Sequence, residues 1–217
     1  MTILGIDTCD KTAAAAIMTD GKVTAETAFV TGRTHSQVIL PLAKRCLQDV
    51  GLSLSDMDVF AAVSGPGSYT GLRIGIAAVQ GICYALDKPC VGVSALECLA
   101  YGVSAFEGTV CAVMHARQRL MYNAFFSVSG RQVHRLSADC ITDADELVRA
   151  MGAYDDVMVT GDVSLLDLGG IRCAPELLRR RSAASLCAAA MQHEPVTADR
   201  LLPDYLQITK AEKDLLG

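Results

Sequence analysis

Four glycines stand within twelve residues at positions 64–75, in the stretch SGPGSYTGLRIG. A glycine-rich loop that opens a helix can hold phosphate through free backbone N–H groups and the positive end of the helix dipole. A Walker A loop has a lysine directly after its last glycine, whereas Gly71 is followed by leucine and then Arg73. The dinucleotide fingerprint is G-x-G-x-x-G, whereas Gly65, Gly67 and Gly71 form G-x-G-x-x-x-G, with one residue too many before the last glycine. Both phosphate motifs are incomplete, and an anion at the helix N-terminus stays open, with Gly67 and Arg73 as candidate contacts.

The helix that follows this loop has a second interpretation, as a packing surface. Gly71, Gly75 and Ala78 lie at positions i, i+4 and i+7, where small residues let another element approach closely. Glycine inside a helix costs about 1 kcal/mol relative to alanine, so several glycines indicate close approach rather than helix stability. The element that packs there is either the chain's own sheet or a helix of another protein, and the sequence leaves both open.

Asp7 is the acidic residue at the end of an apolar N-terminal strand, and it precedes a hairpin. Actin- and sugar-kinase-like folds place an acid there to hold a metal or a phosphate. Such loops add glycines to admit phosphate, and the run Cys9-Asp10-Lys11 contains none. The pattern therefore favours a hydrogen-bonded turn, and Asp7 remains a candidate residue of a nucleotide or anion site.

The histidines do not predict a metal site. A helical zinc pair requires histidines at i and i+4, and His35 is followed at that spacing by Ile39. His115, His134 and His193 are isolated in the sequence, and no cysteine pair has the C-x-x-C spacing. We therefore expect no metal site, and no catalytic residue is assigned.

Composition narrows the class of protein further. The chain has 217 residues, a formal net charge of −5 and nine scattered cysteines, which is typical of a reduced protein of the cytoplasm that does not bind a polyanion on its own. No apolar run reaches the length of a membrane span, and the first residues lack a signal peptide's basic region. The one basic run, at residues 179–181, is predicted to be solvated.

Hydrophobic periodicity predicts two α/β lobes of similar plan, residues 1–104 and 105–217, with a single larger sheet as the alternative. Three strands begin the first lobe, and a helix is predicted from about Thr34 or Ser36 to Val50, where Gly51 ends it. Pro41 inside this helix predicts a kink or a late start. Capping boxes are predicted at Ser94 and Thr142. The remaining strands are expected at residues 59–64, 89–93, 110–114, 120–128, 132–136 and 157–160, and the remaining helices at 71–86 and 182–191.

Several motifs together resemble the TsaB (YeaZ) family of tRNA threonylcarbamoyladenosine biosynthesis. They are ILGIDT, the T-H-S at the first helix, GPGSYTGLRIGIAAVQGI, VSALECLA and PDYLQ, and they extend over nearly the whole chain. Two positions depart from the family's usual residues, because His115 stands where similar proteins have Asp, and Gln207 where they have Arg.

The resemblance implies an actin-like ATPase (RNase H-like) fold with two stacked lobes, the second reduced. It implies a non-catalytic subunit that binds and activates the threonylcarbamoyltransferase TsaD, with the ATPase TsaE as third component. The resemblance also implies that the chain forms homodimers when the partner is absent and contacts tRNA only through the complex. It implies no tightly bound cofactor, with ATP or ADP possible at a shared interface. The candidate partner-binding residues are Val38, Leu42, Gly71, Gly75 and Ala78.

Two other functions stay open. A stand-alone ATP-binding phosphotransferase or ATPase would place Asp7, Gly67 and Arg73 around its nucleotide. A metallopeptidase would require a metal site that the isolated histidines do not predict.

Overall fold

The computed structural model describes residues 1–30 and 34–206, in which two β-sheets alternate with layers of helices. The strands of the first sheet are β1 Thr2–Asp7, β2 Thr12–Thr19, β3 Lys22–Val30, β4 Val59–Gly65 and β5 Cys90–Ser94. Their spatial order is β3-β2-β1-β4-β5. The first three strands form an antiparallel meander, whereas β4 and β5 run parallel to β1.

The second sheet repeats this plan. Its strands are β6 Gly108–Arg117, β7 Leu120–Ser129, β8 Gln132–Arg135, β9 Cys140–Asp143, β10 Val157–Gly161 and β11 Arg172–Cys173. Their order is β11-β10-β6-β7-β8, with β9 also paired to β7. The short strands β8 and β9 pair with opposite ends of β7, so together they take the place that β3 has in the first sheet. Two sheets of one plan confirm the two-lobe interpretation over a single larger sheet.

The α-helices cover three faces of these sheets. They are α1 His35–Val50, α2 Tyr69–Leu86, α3 Ala95–Gly102, α4 Ala144–Met151 and α5 Ala183–Ala190. Helices α1 and α2 pack on the face of the first sheet that carries Leu4 and Ile6. The opposite face, with Ile3 and Ala16, belongs to a core shared with α3, α5 and the second sheet.

The two halves of the chain interlock between the sheets. Helix α3, from the first half, packs on β6 and β7, whereas α5, from the second half, packs on β1 and β2. Helix α4 covers the outer face of the second sheet through Leu147 and Met151. The lobe boundary at residues 104 and 105 stays a prediction, and its two sides exchange helices across the interface.

Residues 196–205, called here the C-terminal strap, run back along the first lobe. The strap begins with an isolated bridge between Val196 and Cys90. Gln80 of α2 donates to the carbonyl oxygens of Ala198 and Leu201, each at 3.0 Å. The strap therefore ties α2 to the edge of the sheet at β5.

Helix α1 begins at His35, within the predicted start at Thr34 or Ser36, and includes Pro41, so the alternative of a late start at that proline is wrong. Proline removes one backbone donor from the helix. The apolar side chains on both sides of Pro41, among them Ile39, Leu42 and Cys46, are buried against the first sheet, and this packing outweighs the lost hydrogen bond. No helix among the described residues is long and apolar enough to cross a membrane.

Candidate functional site

The residues of the first turn, 8–11, join β1 to β2 and form the centre of the site. Asp7, at the end of β1, accepts a hydrogen bond at Oδ1 from the backbone N–H of Cys9 at 2.9 Å. This is the hydrogen-bonded turn that the absence of glycine favours. The ring Nδ1 of His35, at the start of α1, donates to the carbonyl oxygen of Thr8 at 3.0 Å. The T-H-S motif therefore places α1 against the turn.

The glycine loop closes on the other side of the same turn. The backbone N–H of Ser68 donates to the carbonyl oxygen of Cys9 at 2.8 Å, and a Cβ on Gly67 would lie 2.7 Å from that oxygen. Ser68 also caps α2, because its Oγ accepts from the backbone N–H of Gly71. The loop amides thus approach the first turn closely, and the protein backbone fills the space that a phosphate would need beside Gly67.

The small face of α2 rests on Thr8. The Oγ1 of Thr8 donates to the carbonyl oxygen of Gly71 at 2.7 Å. A Cβ on Gly71 would collide with the carbonyl oxygen of Thr8, and a Cβ on Gly75 would lie 2.5 Å from its Oγ1. Gly71 and Gly75 thus pack on the chain's own turn after β1.

The candidate partner-binding residues therefore lie mostly inside the molecule. Leu42, Gly71 and Gly75 are buried, while Val38 and Ala78 are half-buried. Gly71 and Gly75 are used in the close approach to Thr8. That a partner binds α1 and α2 stays a prediction, and it concerns their outward residues.

The outward face of α2 is almost uncharged. Over its 18 residues, YTGLRIGIAAVQGICYAL, the helix contains a single charged side chain, Arg73. Ala77 and Gly81 are exposed on it, and Gly81 has no atom within 4 Å of an added Cβ. Tyr84 is 66% exposed, and Leu40 of the neighbouring α1 is 49% exposed.

Arg73 is held against the C-terminal strap. Its Nε donates to the hydroxyl of Tyr205 at 2.8 Å, and its guanidinium carbon lies 4.2 Å from the centre of the Tyr69 ring. The two tyrosine rings stack with their centres 4.6 Å apart. The side chain is thus directed along the helix surface toward the strap. Gln207, the other end of the PDYLQ motif, lies outside the described residues.

Arg181 meets Asp7 across the whole length of the chain. Its Nε lies 3.2 Å from Asp7 Oδ2, and its Nη2 lies 3.6 Å from Asp10 Oδ2. The side chain of Arg181 is only 9% exposed and that of Asp7 only 6%. The prediction that residues 179–181 form a solvated run is wrong for Arg181. A buried carboxylate without a cation is strongly unfavourable, and Arg181 is buried because it pairs with the carboxylate of Asp7.

These contacts do not fit a nucleotide with its metal, which an actin-like fold implies. Asp7 is paired with Arg181, Gly67 abuts Cys9, and Arg73 lies on two tyrosines. The three candidate residues thus contact other parts of the chain and do not converge on one open space. Within residues 1–30 and 34–206, no group of three or more His, Cys, Asp or Glu side chains is arranged to hold a metal ion.

His115 lies at the end of β6, on the second lobe. Its Nε2 is 3.0 Å from the carbonyl oxygen of Gln118 in the turn after β6. Asp162, just beyond β10, has a lowered pKa in spite of its partial burial, because Ser164 donates hydrogen bonds to it and because His115 and Arg179 are close. His115 therefore lies near Asp162, where β6 and β10 end.

A second charge network joins Glu97 of α3 to two segments of the second half of the chain. Glu97 of α3 lies 2.8 Å from His193 Nε2, beyond α5, and 3.3 Å from Arg135 Nη2, on β8. Arg135 also pairs with Asp139, which accepts from Ser94 Oγ at 2.5 Å. Burial favours the neutral form of Glu97, but His193 and Arg135 outweigh it and lower its pKa. The hydrogen bond to Glu97 raises the pKa of His193.

Fold and site together define the class of protein. Two stacked lobes of one strand plan are an actin-like ATPase (RNase H-like) fold. The residues at its first turn contact other parts of the chain, among them Arg181 and Ser68. Residues 27–168 match the family described as TsaD, tRNA N6-adenosine threonylcarbamoyltransferase.

Known relatives define the branch of that family. The TsaB biosynthesis protein of Bacillus subtilis is 27% identical over 98% of this chain and 96% of its own length. TsaB of Escherichia coli is 39% identical over 56% of this chain and 53% of its own length. The solved structure of YeaZ from Pseudomonas aeruginosa superposes with a TM-score of 0.80 at 27% identity, over 94% of this chain and 99% of that one. The chain belongs to the TsaB (YeaZ) family, and its role lies in tRNA threonylcarbamoyladenosine biosynthesis.

Proposed function

We propose that this chain is a non-catalytic subunit that binds and activates a TsaD-like threonylcarbamoyltransferase. The transferase modifies the adenosine beside the anticodon of tRNA, and a TsaE-like ATPase is the third component, in the cytoplasm. The observation that carries the proposal is the outward face of α2. A surface helix of a globular protein normally carries charged residues on its solvent side, and α2 has only Arg73.

Small residues on both faces of α2 explain how the helix serves two contacts. Gly71 and Gly75 on the inner face let the helix settle on Thr8. Ala77 and Gly81 on the outer face leave the backbone open to close packing by a second helix. Tyr84 on the same helix and Leu40 on α1 are exposed apolar side chains. Apolar and aromatic side chains of this kind supply most of the binding energy at protein interfaces.

The interface is tested with a pair of matched glycine variants. Gly81, on α2, and Gly170, on the second lobe, are both exposed and both have open space at an added Cβ. Gly81→Arg places a long charged side chain in the proposed interface, whereas Gly170→Arg places the same side chain elsewhere. We expect Gly81→Arg to weaken binding to the TsaD-like subunit at least tenfold, about 1.4 kcal/mol, and to reduce tRNA modification in vitro in parallel.

Thermal unfolding of both variants serves as the control for folding. If Gly81→Arg bound the TsaD-like subunit as tightly as Gly170→Arg does, the outer face of α2 would not be the interface. Loss of modification with normal binding would instead separate activation from docking.

The same face is proposed to form a homodimer when the TsaD-like subunit is absent. Sedimentation of the purified chain measures this state directly. Wild type and Gly170→Arg are expected to sediment as dimers and Gly81→Arg as a monomer. A monomeric wild type would remove the homodimer from the proposal and leave the subunit contact to the binding experiment.

Nucleotide is proposed to act at the shared interface of the complex and not within this chain. The contacts of Asp7, Gly67 and Arg73 with other parts of the chain support this over a stand-alone ATPase. Calorimetric titration of the purified chain with magnesium-ATP is expected to give no binding heat. Binding at micromolar affinity, or turnover, would favour the stand-alone ATPase. The net charge of −5 likewise supports contact with tRNA only through the complex.

A further inference from the structure

We propose that the C-terminal strap forms one side of the surface on which the TsaD-like subunit docks, next to the outer face of α2. The inference rests on the proposed function, because it extends the interface proposed there. Its new elements are the exposed side chain of Leu202 and the stacked rings of Tyr69 and Tyr205.

The size of α2 shows that a partner docked on it must also contact its surroundings. A helix of 18 residues is about 27 Å long and about 10 Å wide, so its outline covers about 300 Å². A stable interface usually takes about 800 Å² of each partner. The partner therefore extends beyond the helix. Helix α1, which packs on β2 and β3, lies on one side of α2, and the strap, which begins at β5, lies on the other.

The strap follows α2 over about three turns. Gln80 donates to two of its carbonyl oxygens at 3.0 Å each. Nearer the start of the helix, the hydroxyl of Tyr205 accepts from Arg73 Nε, and its ring stacks on Tyr69. Tyr69 is itself 41% exposed. Tyrosine and arginine are enriched among the residues that dominate binding at interfaces, so this end of the strap has the composition of a docking surface.

Leu202 is directed away from the core of the first lobe. Its neighbour Leu201 is 2% exposed, and the side chain of Leu201 lies 2.9 Å from a Cβ added at Gly92 of β5. Leu201 has an extended backbone, in which successive side chains point to opposite sides. Leu202 is accordingly 65% exposed, and it adds apolar area beside α2.

The backbone is fixed on both sides of Leu202. On one side Gln80 donates to the carbonyl oxygen of Leu201. On the other side the N–H of Asp204 donates to the carbonyl oxygen of Ser64 at 2.7 Å. A loop that must be ordered on binding loses affinity. This segment is already held in place, so burial of Leu202 by a partner costs little conformational entropy.

The strap is tested with a pair of matched leucine variants, in the same binding assay as Gly81→Arg. Leu202→Asp places a carboxylate on the strap, and Leu177→Asp places it on the turn at residues 176–178 of the second lobe, where Leu177 is 90% exposed. We expect Leu202→Asp to weaken binding to the TsaD-like subunit at least tenfold, because it removes apolar contact and buries a charge. Leu177→Asp is expected to change the affinity less than twofold. Both leucines are exposed, so the thermal midpoints should stay within about 2 °C of wild type.

The result for Gly81→Arg separates this inference from the proposed function. If Gly81→Arg weakened binding and Leu202→Asp did not, α2 would remain the interface without the strap. If neither variant weakened binding, the proposed interface and the inference would both be wrong. Equal losses in Leu202→Asp and Leu177→Asp would also overturn the inference, because the effect would then follow charge and not position. So would a Leu202→Asp variant that bound the TsaD-like subunit normally and lost only the homodimer in sedimentation, because the strap would then serve a second copy of this chain.

Leu202→Ala decides the case in which Leu202→Asp does not fold. Alanine removes the apolar contact without adding a charge, so we expect an unchanged thermal midpoint and binding at least threefold weaker. A folded Leu202→Ala variant that bound the TsaD-like subunit as tightly as wild type would contradict the inference.

Discussion

Two glycines of α2, Gly75 and Gly81, differ in the space that an added side chain would find. Gly75 faces Thr8 Oγ1, which donates its hydrogen bond to Gly71, while Gly81 faces open space two turns later. Both are helical glycines with the same intrinsic cost. Their surroundings therefore predict changes of opposite sign in the free energy of unfolding when each glycine is replaced by alanine.

Gly75→Ala is expected to destabilise the protein by about 1–3 kcal/mol, because its Cβ would displace Thr8 and weaken that hydrogen bond. Gly81→Ala is expected to stabilise the protein by about 0.5–1 kcal/mol through helix propensity alone. Urea unfolding of both variants measures the two effects. Shifts of the same sign would contradict the close contact at Gly75. A larger residue at position 75 would damage the fold before it reached a partner, so the outward positions are the ones that report docking.

Single residues also show where sequence reasoning stops. The incomplete phosphate motifs and the small face of α2 follow from local spacing, and the sequence predicted both. The pairing of Arg181 with Asp7 joins positions 174 residues apart, and no local pattern encodes it. A consecutive arginine run indicates solvent exposure by composition, and only the fold brings its last member to a buried acid.

At the scale of elements, local signals located most helices and long strands. Ser94 caps α3, accepting from the backbone N–H groups of residues 96 and 97, whereas the carboxylate of Glu97, the other half of the predicted capping box, contacts Arg135 and His193. The cap predicted at Thr142 is wrong, because Thr142 lies in β9 and Asp143 caps α4 instead. Thr142 pairs with Met121 of the neighbouring strand, so a sheet contact decided the boundary.

The elements that the sequence missed are short or depend on distant pairing. Strand β11 has two residues and β9 has four, too few to establish a period. The C-terminal strap has no regular hydrogen-bond ladder of its own, and it is held by Gln80 and by the stack of Tyr205 on Tyr69. The resemblance covered this segment through PDYLQ, but only the structure shows that it packs on α2.

At the scale of the molecule, the network around Glu97 links α3, from the first half of the chain, to two separate segments of the second half. Arg135 comes from the second sheet, and His193 follows the helix that packs on the first sheet. Because the pKa of His193 is raised on folding, its protonated form favours the folded state. This contribution is present below the unfolded pKa of about 6.5 and is lost as the pH rises through the folded value. The lowered pKa of Glu97 adds stability above about 4.5 that is lost in acid.

His193→Gln is therefore expected to remove part of the fall in stability between about pH 6 and pH 8. The effect should stay below about 1 kcal/mol, because His193 is more than a third exposed and solvent screens the pair. Urea unfolding across this pH range measures it. His134→Gln, at an exposed position on β8, is the matched control and should leave the pH profile unchanged. Identical profiles for the two variants would show that the Glu97 pair does not contribute.

The interleaving of α3 and α5 has a consequence for synthesis. The face of the first sheet that carries Ile3 and Ala16 is covered by a helix that begins at residue 183. A nascent chain with the first five strands complete therefore still exposes an apolar sheet surface, and it does so until most of the second lobe has been translated. Exposed surface of this kind is what draws chaperones and promotes aggregation during folding. This face of the first sheet is therefore covered by α5 only after residues 183–190 have been translated.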